Sequence, residues 1–69
     1  MTGPEWIEAF AARLGVAAPD EATRARLLEL AGVAAHASER QAAPIACWLA
    51  ARAGLDPERA LALARELAP

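Results

Sequence analysis

The chain has 69 residues and a formal net charge of −2, which limits it to a single domain, 1–69, with a small core. Acidic and basic residues are interleaved, which argues against nucleic acid or an anionic membrane as the main partner, because both bind clustered positive charge. A single cysteine excludes an internal disulfide, and no signal-like or membrane-spanning stretch of about 20 residues is present, so we expect a cytoplasmic protein.

The first predicted helix covers 3–14. Thr2 and Glu5 have the spacing of a capping box, and Pro4 falls in the first turn, where its missing N–H costs nothing. Gly15 then provides a helix stop. The apolar residues of this segment recur at helical spacing and predict one buried side: Trp6, Ile7, Phe10, Ala11 and Leu14.

The second predicted helix covers 20–38 and is opened by Pro19 and Asp20. Gly32 interrupts it at a cost of about 1 kcal/mol relative to alanine, so we expect another helix to approach closely there. The inward-facing stripe predicted from the spacing consists of small and branched residues: Leu27, Leu30, Ala31, Ala34 and Ala35.

Two prolines mark the remaining helices. Pro44 is expected to start a third helix, 44–53, and Asp56 followed by Pro57 predicts the cap and first turn of a fourth, 57–67. The connections between the four segments are short. The sequence therefore predicts an all-α fold, a compact antiparallel bundle of four short helices.

The core is expected to be thin, because 21 of the residues are alanine. Trp6 and Trp48 are predicted to belong to it, since most tryptophans pack inside; an exposed one would instead mark a partner surface. The larger apolar residues are expected to make up the rest of the core: Ile7, Phe10, Leu14, Leu27, Leu28, Leu30, Val33, Ile45, Leu49, Leu55, Leu61, Leu63 and Leu67.

Residues with catalytic or metal-binding chemistry are few. Cys47 with His36 could form a nucleophile and base, but no third group is available to orient the histidine. His36 with Glu39 supplies only half of a metal site. We therefore expect no catalytic site, no bound metal and no cofactor.

The junction between the second and third helices is the most informative segment. His36 and Arg40 are four residues apart, and the helix that begins at Pro44 lacks an obvious capping side chain. Free N–H groups near Ile45 and Ala46, beside two basic side chains, predict a small site for an anionic ligand or partner. The alternative is that water or a neighbouring side chain fills the cap.

Several segments together carry a family resemblance. They are Glu5-Trp6, Leu14-Gly15, Leu27-Leu28-Glu29-Leu30-Ala31, Ala35-His36, Arg40, Ala42-Ala43-Pro44, Leu49, Gly54 and Asp56-Pro57-Glu58. With them the chain resembles a small helical domain of high-GC bacteria. That domain is encoded alone, beside, or fused to the molybdenum cofactor guanylyltransferase, which attaches GMP to molybdopterin. The resemblance implies an accessory role in that pathway, with the guanylyltransferase as partner.

The leading hypothesis is therefore a non-enzymatic accessory or protein-interaction domain. A second hypothesis is a DNA-binding regulator of helix-turn-helix type, in which Arg24, Arg26 and Arg40 would face the DNA. A third is a self-associating structural module, for example a homodimer.

Overall fold

Four α-helices account for the regular structure in the computed structural model, which describes all 69 residues. The helices are α1 (Gly3–Leu14), α2 (Glu21–Ala37), α3 (Ala42–Arg52) and α4 (Pro57–Leu67). The predicted all-α bundle is confirmed, and the ranges of α1 and α4 agree with the prediction. Helix α2 is one residue shorter at each end than expected, and α3 begins and ends earlier than its predicted range.

Side-chain caps fix three of the helix starts. The Thr2 hydroxyl accepts from the Glu5 N–H at 3.2 Å, and the Glu5 carboxylate accepts from the Thr2 N–H at 2.7 Å, completing the capping box. Asp20 accepts from the N–H of Thr23 at 2.8 Å, and Asp56 caps α4 in the same way at 3.0 Å. These caps satisfy amides that would otherwise lack partners, which is why the starts of α1, α2 and α4 are well determined by sequence.

The caps make the stability of the fold depend on pH in the acidic range. The backbone N–H of Thr23 lowers the pKa of Asp20 below its ordinary 3.8, and the backbone N–H of Thr2 lowers that of Glu5 below 4.5. Because both pKa values are depressed on folding, the stabilisation is complete above the ordinary values and is lost as the pH falls through the folded ones. We expect the unfolding temperature to decrease as the pH drops below 4.5.

An Asp20→Asn variant tests this. Asparagine caps as well as aspartate but does not titrate, so thermal unfolding followed by circular dichroism should show a weaker dependence on acid. Glu66→Gln is the matched control, because Glu66 is exposed and makes no side-chain hydrogen bond. Equal acid sensitivity in the Asp20→Asn variant and the wild type would contradict the assignment.

The start of α3 differs from the prediction. The helix begins at Ala42, and Pro44 is its third residue, not its first. None of the first four residues of an α-helix needs its N–H for an intrahelical bond, so proline fits at each of these positions. A proline therefore locates the first turn of a helix without fixing the first residue.

Helix α2 is the centre of the fold, and both α3 and α4 pack against it. Leu30 of α2 and Ala60 and Leu61 of α4 form the buried cluster. Half-buried residues from all three helices surround this cluster: Val33, Ala46, Cys47, Ala50 and Ala64. The only other buried residue is Ala11 in α1. The core is thus small and rich in alanine, as the composition predicted.

The prediction that the large apolar residues are buried is wrong for most of them. Trp6 and Trp48 are 54% and 62% exposed. The reason in α3 is its orientation, since its smooth side, with Ala46 and Ala50, packs inward. Ten further large residues are also exposed: Met1, Phe10, Leu14, Val16, Leu28, Ile45, Leu49, Leu55, Leu63 and Leu67. The prediction of a close helix approach at Gly32 is wrong as well, because an added Cβ would meet nothing within 4 Å.

Helix α1 is attached only sparingly to the other three helices. Its contribution to the interior is Ala11, with Ile7 half-buried. The chain exposes 5303 Å², whereas a globular protein of 7.2 kDa exposes roughly 4100 Å². Its radius of gyration is 12.4 Å, against about 11 Å for a domain of this length. An isolated copy therefore exposes more surface than is usual for its mass, and twelve large apolar residues contribute to that surface.

Crossing a bilayer would require a helix that is both longer and more apolar than any in this fold.

Candidate functional site

His36 and Arg40 do not share a helix face. Helix α2 ends at Ala37, and Ser38 leaves the helical conformation with φ −142° and ψ −97°. Its hydroxyl donates to the Ala34 carbonyl at 2.8 Å, within the last turn. The four-residue spacing that would align the imidazole and the guanidinium requires an unbroken helix, so this alignment is absent.

The predicted ligand-binding residues are divided between two depressions. His36 lines one depression, beside Glu29 and Arg65. Pro44, Ile45 and Ala46 line a second. Arg40 lines neither and is exposed. Three of the five predicted residues therefore line one depression, whereas His36 lines the other and Arg40 lines neither.

The uncapped start of α3 is confirmed, because Gln41 makes no side-chain cap. However, the N–H groups of Ala42 and Ala43 already donate to the carbonyls of Glu39 and Arg40, at 2.9 and 3.1 Å. Pro44 has no N–H, which leaves at most one free amide in the first turn. The Glu39 side chain also lines this depression, and a carboxylate there disfavours an anion. Anion binding stays a prediction that these contacts do little to support.

The exposed side of α3 is an apolar surface next to this junction. We name Ile45, Trp48, Leu49 and Arg52 the α3 outer face. Ile45, Trp48 and Leu49 are 59%, 62% and 55% exposed. Leu49 also lines two neighbouring depressions, one of about 660 Å³ at the junction with α2 and one made only of apolar residues between α3 and α4. The face is therefore continuous with concave surface on both sides.

A second apolar surface lies on α1. Trp6 and Phe10 stack with their ring centroids 4.9 Å apart and their planes inclined by 28°, and Leu14 continues the row one turn further on. We name Trp6, Phe10 and Leu14 the α1 row. The row is about half exposed throughout, so two solvent-facing tryptophans lie on two different helices.

Cys47 faces the interior. Its thiol lies 3.8 Å from the Leu27 carbonyl, and burial raises its pKa. A raised pKa keeps the thiol protonated and therefore weakly nucleophilic. Cys47 packs against the buried cluster, as a small core residue does. His36 lies elsewhere, in the depression beside Glu29 and Arg65.

Two of the three arginines considered for DNA contact are held by intramolecular partners. Arg24 donates to the Pro19 carbonyl at 3.2 Å, and Arg26 pairs with Glu29 at 2.8 Å. Glu29 also pairs with Arg65 of α4 at 3.0 Å, an interhelical contact that the sequence pattern did not reveal. The Glu29 carboxylate offsets the charge of Arg26, so this side of α2 offers less positive charge to a phosphate backbone than its arginines alone suggest.

The sequence predicted that Ile45, Trp48 and Leu49 belong to the core, whereas the structure places all three on the exposed side of α3. The misleading signal was the composition of α3, in which both sides are apolar and Arg52 is the only charged residue. When one side of a helix carries small apolar side chains and the other carries large ones, periodicity alone does not show which side faces the core.

The fold and its surfaces define a small all-α domain of four helices with uncovered apolar faces. Over residues 2–69 the sequence matches the family described as a domain of unknown function, DUF6457, and the chain belongs to that family. The predicted membership of a small helical domain family is thereby confirmed. The family description mentions neither molybdenum cofactor guanylyltransferase nor high-GC bacteria. Comparison with curated proteins and with solved structures gives no match.

Proposed function

We propose that this chain is a non-enzymatic protein-interaction domain that binds its partner through the α3 outer face and the adjoining depression. The observation that carries the proposal is the orientation of α3. It packs its alanines inward and leaves Ile45, Trp48 and Leu49 each more than half exposed.

The amount of exposed surface supports this function. The chain exposes roughly 1200 Å² more than a globule of its mass, while one side of a standard protein interface covers about 800 Å². Tryptophan and arginine are enriched among residues that dominate binding energy, and Trp48 and Arg52 both lie on this face. Pro44, Ile45 and Ala46 also belong to the proposed binding surface, because they line the adjoining depression.

For the partner we propose the molybdenum cofactor guanylyltransferase, with the domain acting as an accessory in molybdenum cofactor biosynthesis. The support for this step is the resemblance based on His36, Arg40 and Pro44 and the segments around them. The cellular location that follows is the cytoplasm.

Titration of the purified domain with the guanylyltransferase of the same organism tests the proposal. Binding should change the Trp48 fluorescence, because a hot-spot tryptophan loses water on docking. Trp48→Ala should weaken binding at least tenfold, the usual loss at an interface hot spot. Its side chain is exposed, so the fold should be retained.

Leu67→Ala is the matched control, because Leu67 is 87% exposed and lies outside the α3 outer face. It should bind like the wild type. Equal loss in both variants would contradict the assigned surface, and no binding at high micromolar concentration would contradict the assigned partner.

A further inference from the structure

We propose that α1 is a dimerisation helix that pairs antiparallel with α1 of a second copy of this chain. The proposal concerns a surface separate from the α3 outer face and does not depend on the partner proposed above. It starts from the weak attachment of α1 to its own chain.

The apolar residues of α1 are arranged symmetrically about its middle. Trp6, Phe10 and Leu14 follow one another at four-residue intervals, which places them in one row along the helix. Phe10 is the central member. In an antiparallel pair centred on Phe10, each Trp6 therefore lies opposite Leu14 of the second copy, and the two Phe10 side chains meet.

A second row beside the first carries opposite charges at its ends. Glu5, Ala9 and Arg13 also follow at four-residue intervals, with the small Ala9 at the centre. The same antiparallel arrangement brings each Glu5 near Arg13 of the second copy, whereas a parallel two-fold pair would place the two copies of this second row on opposite sides of the contact. A surface that is complementary to itself under a two-fold rotation is what a symmetric dimer requires.

The charged side chains are also available, since Glu5 accepts from the Thr2 N–H through Oε1 only and keeps Oε2 free. Arg13 has no ion-pair partner within its own chain, because the two intramolecular ion pairs involve only Arg26, Arg65 and Glu29. Ala9 and Arg13 line a shallow depression together with Trp6 and Phe10. Trp6 and Phe10 are already stacked, so ordering them on association costs little side-chain entropy.

The α1 row is open to a partner along its whole length, since Trp6, Phe10 and Leu14 are 54%, 48% and 59% exposed. A second copy can therefore cover this row while leaving the α3 outer face free.

Sedimentation equilibrium over a range of concentrations tests the dimer. The wild type should be a dimer at high micromolar concentration. Arg13→Glu should weaken dimerisation at least tenfold, because it places two pairs of glutamates opposite each other. Arg52→Glu is the matched control, since Arg52 is also an exposed arginine in the last turn of its helix, and it should dimerise like the wild type.

Cross-linking tests the register. In a Cys47→Ala background, Ala9→Cys places a thiol beside the two-fold axis, and a short bismaleimide should join two copies. Ala62→Cys, an exposed alanine on α4, should yield no cross-linked dimer under the same conditions.

A monomer at millimolar concentration would overturn the proposal. A dimer weakened by Arg52→Glu but not by Arg13→Glu would overturn it as well, because it would place the contact on α3. Guanylyltransferase binding by a strictly monomeric chain would leave the function proposed above intact, so the two failures are distinguishable.

Discussion

Leu61→Ala should remove most of the stability of this fold. Leu61 is 2% exposed and is the larger of the two α4 residues in the buried cluster with Leu30. Truncating a buried leucine costs about 3 kcal/mol, and a core of this size supplies only about 3 to 5 kcal/mol in total. Urea unfolding followed by helical circular dichroism should give a midpoint close to zero denaturant.

Leu67→Ala makes the same chemical change on the same helix, at a position that is 87% exposed. Its midpoint should stay near that of the wild type, because substitutions away from the core usually change stability by less than about 0.5 kcal/mol. Similar midpoints for the two variants would mean that the interior is not centred on Leu30 and Leu61. Both measurements belong at one low protein concentration, so that association contributes equally.

Two glycine substitutions should change stability in opposite directions. Gly32 lies within α2, and an added Cβ there meets nothing within 4 Å, so Gly32→Ala should stabilise the protein by about 1 kcal/mol. Gly15 ends α1 with φ 77°. A Cβ is equally free of neighbours there, but the left-handed conformation costs a non-glycine residue about 1 kcal/mol. Gly15→Ala should therefore destabilise the protein.

Because neither position has a nearby atom, the backbone conformation alone determines the sign of each effect. The unfolding temperatures of the two variants should therefore lie on opposite sides of the wild-type value. Destabilisation by Gly32→Ala would indicate that a helix does pack against Gly32, as the sequence alone suggested.

The helices could be predicted because their ends are specified locally. Thr2, Asp20 and Asp56 accept hydrogen bonds from amides three residues further on, and Gly15 and Gly54 adopt positive φ. Each signal acts within one turn and needs no knowledge of the fold. The start of α3 lacks such a signal, and it is the start that differs most from its predicted position.

The direction of each helix face could not be predicted, because it depends on the neighbours. In α3, Ala46 and Ala50 pack against the buried cluster while Trp48 faces solvent. The spacing of the residues distinguishes these two sides but does not show which of them is buried. The positions of the two basic residues of the candidate anion site could not be predicted for a similar reason, since α2 ends before Arg40 and the fold places His36 in another depression.

The sparse attachment of α1 has a consequence for the cooperativity of the molecule. Segments with few packed neighbours open at a lower free energy than the global transition, so the amides of α1 should exchange with deuterium before those of α2 around Leu30. A contact made by α1 with another protein then adds protection selectively to residues 3–14. We therefore expect the N-terminal helix to open independently of the other three and to become more ordered when it binds another protein.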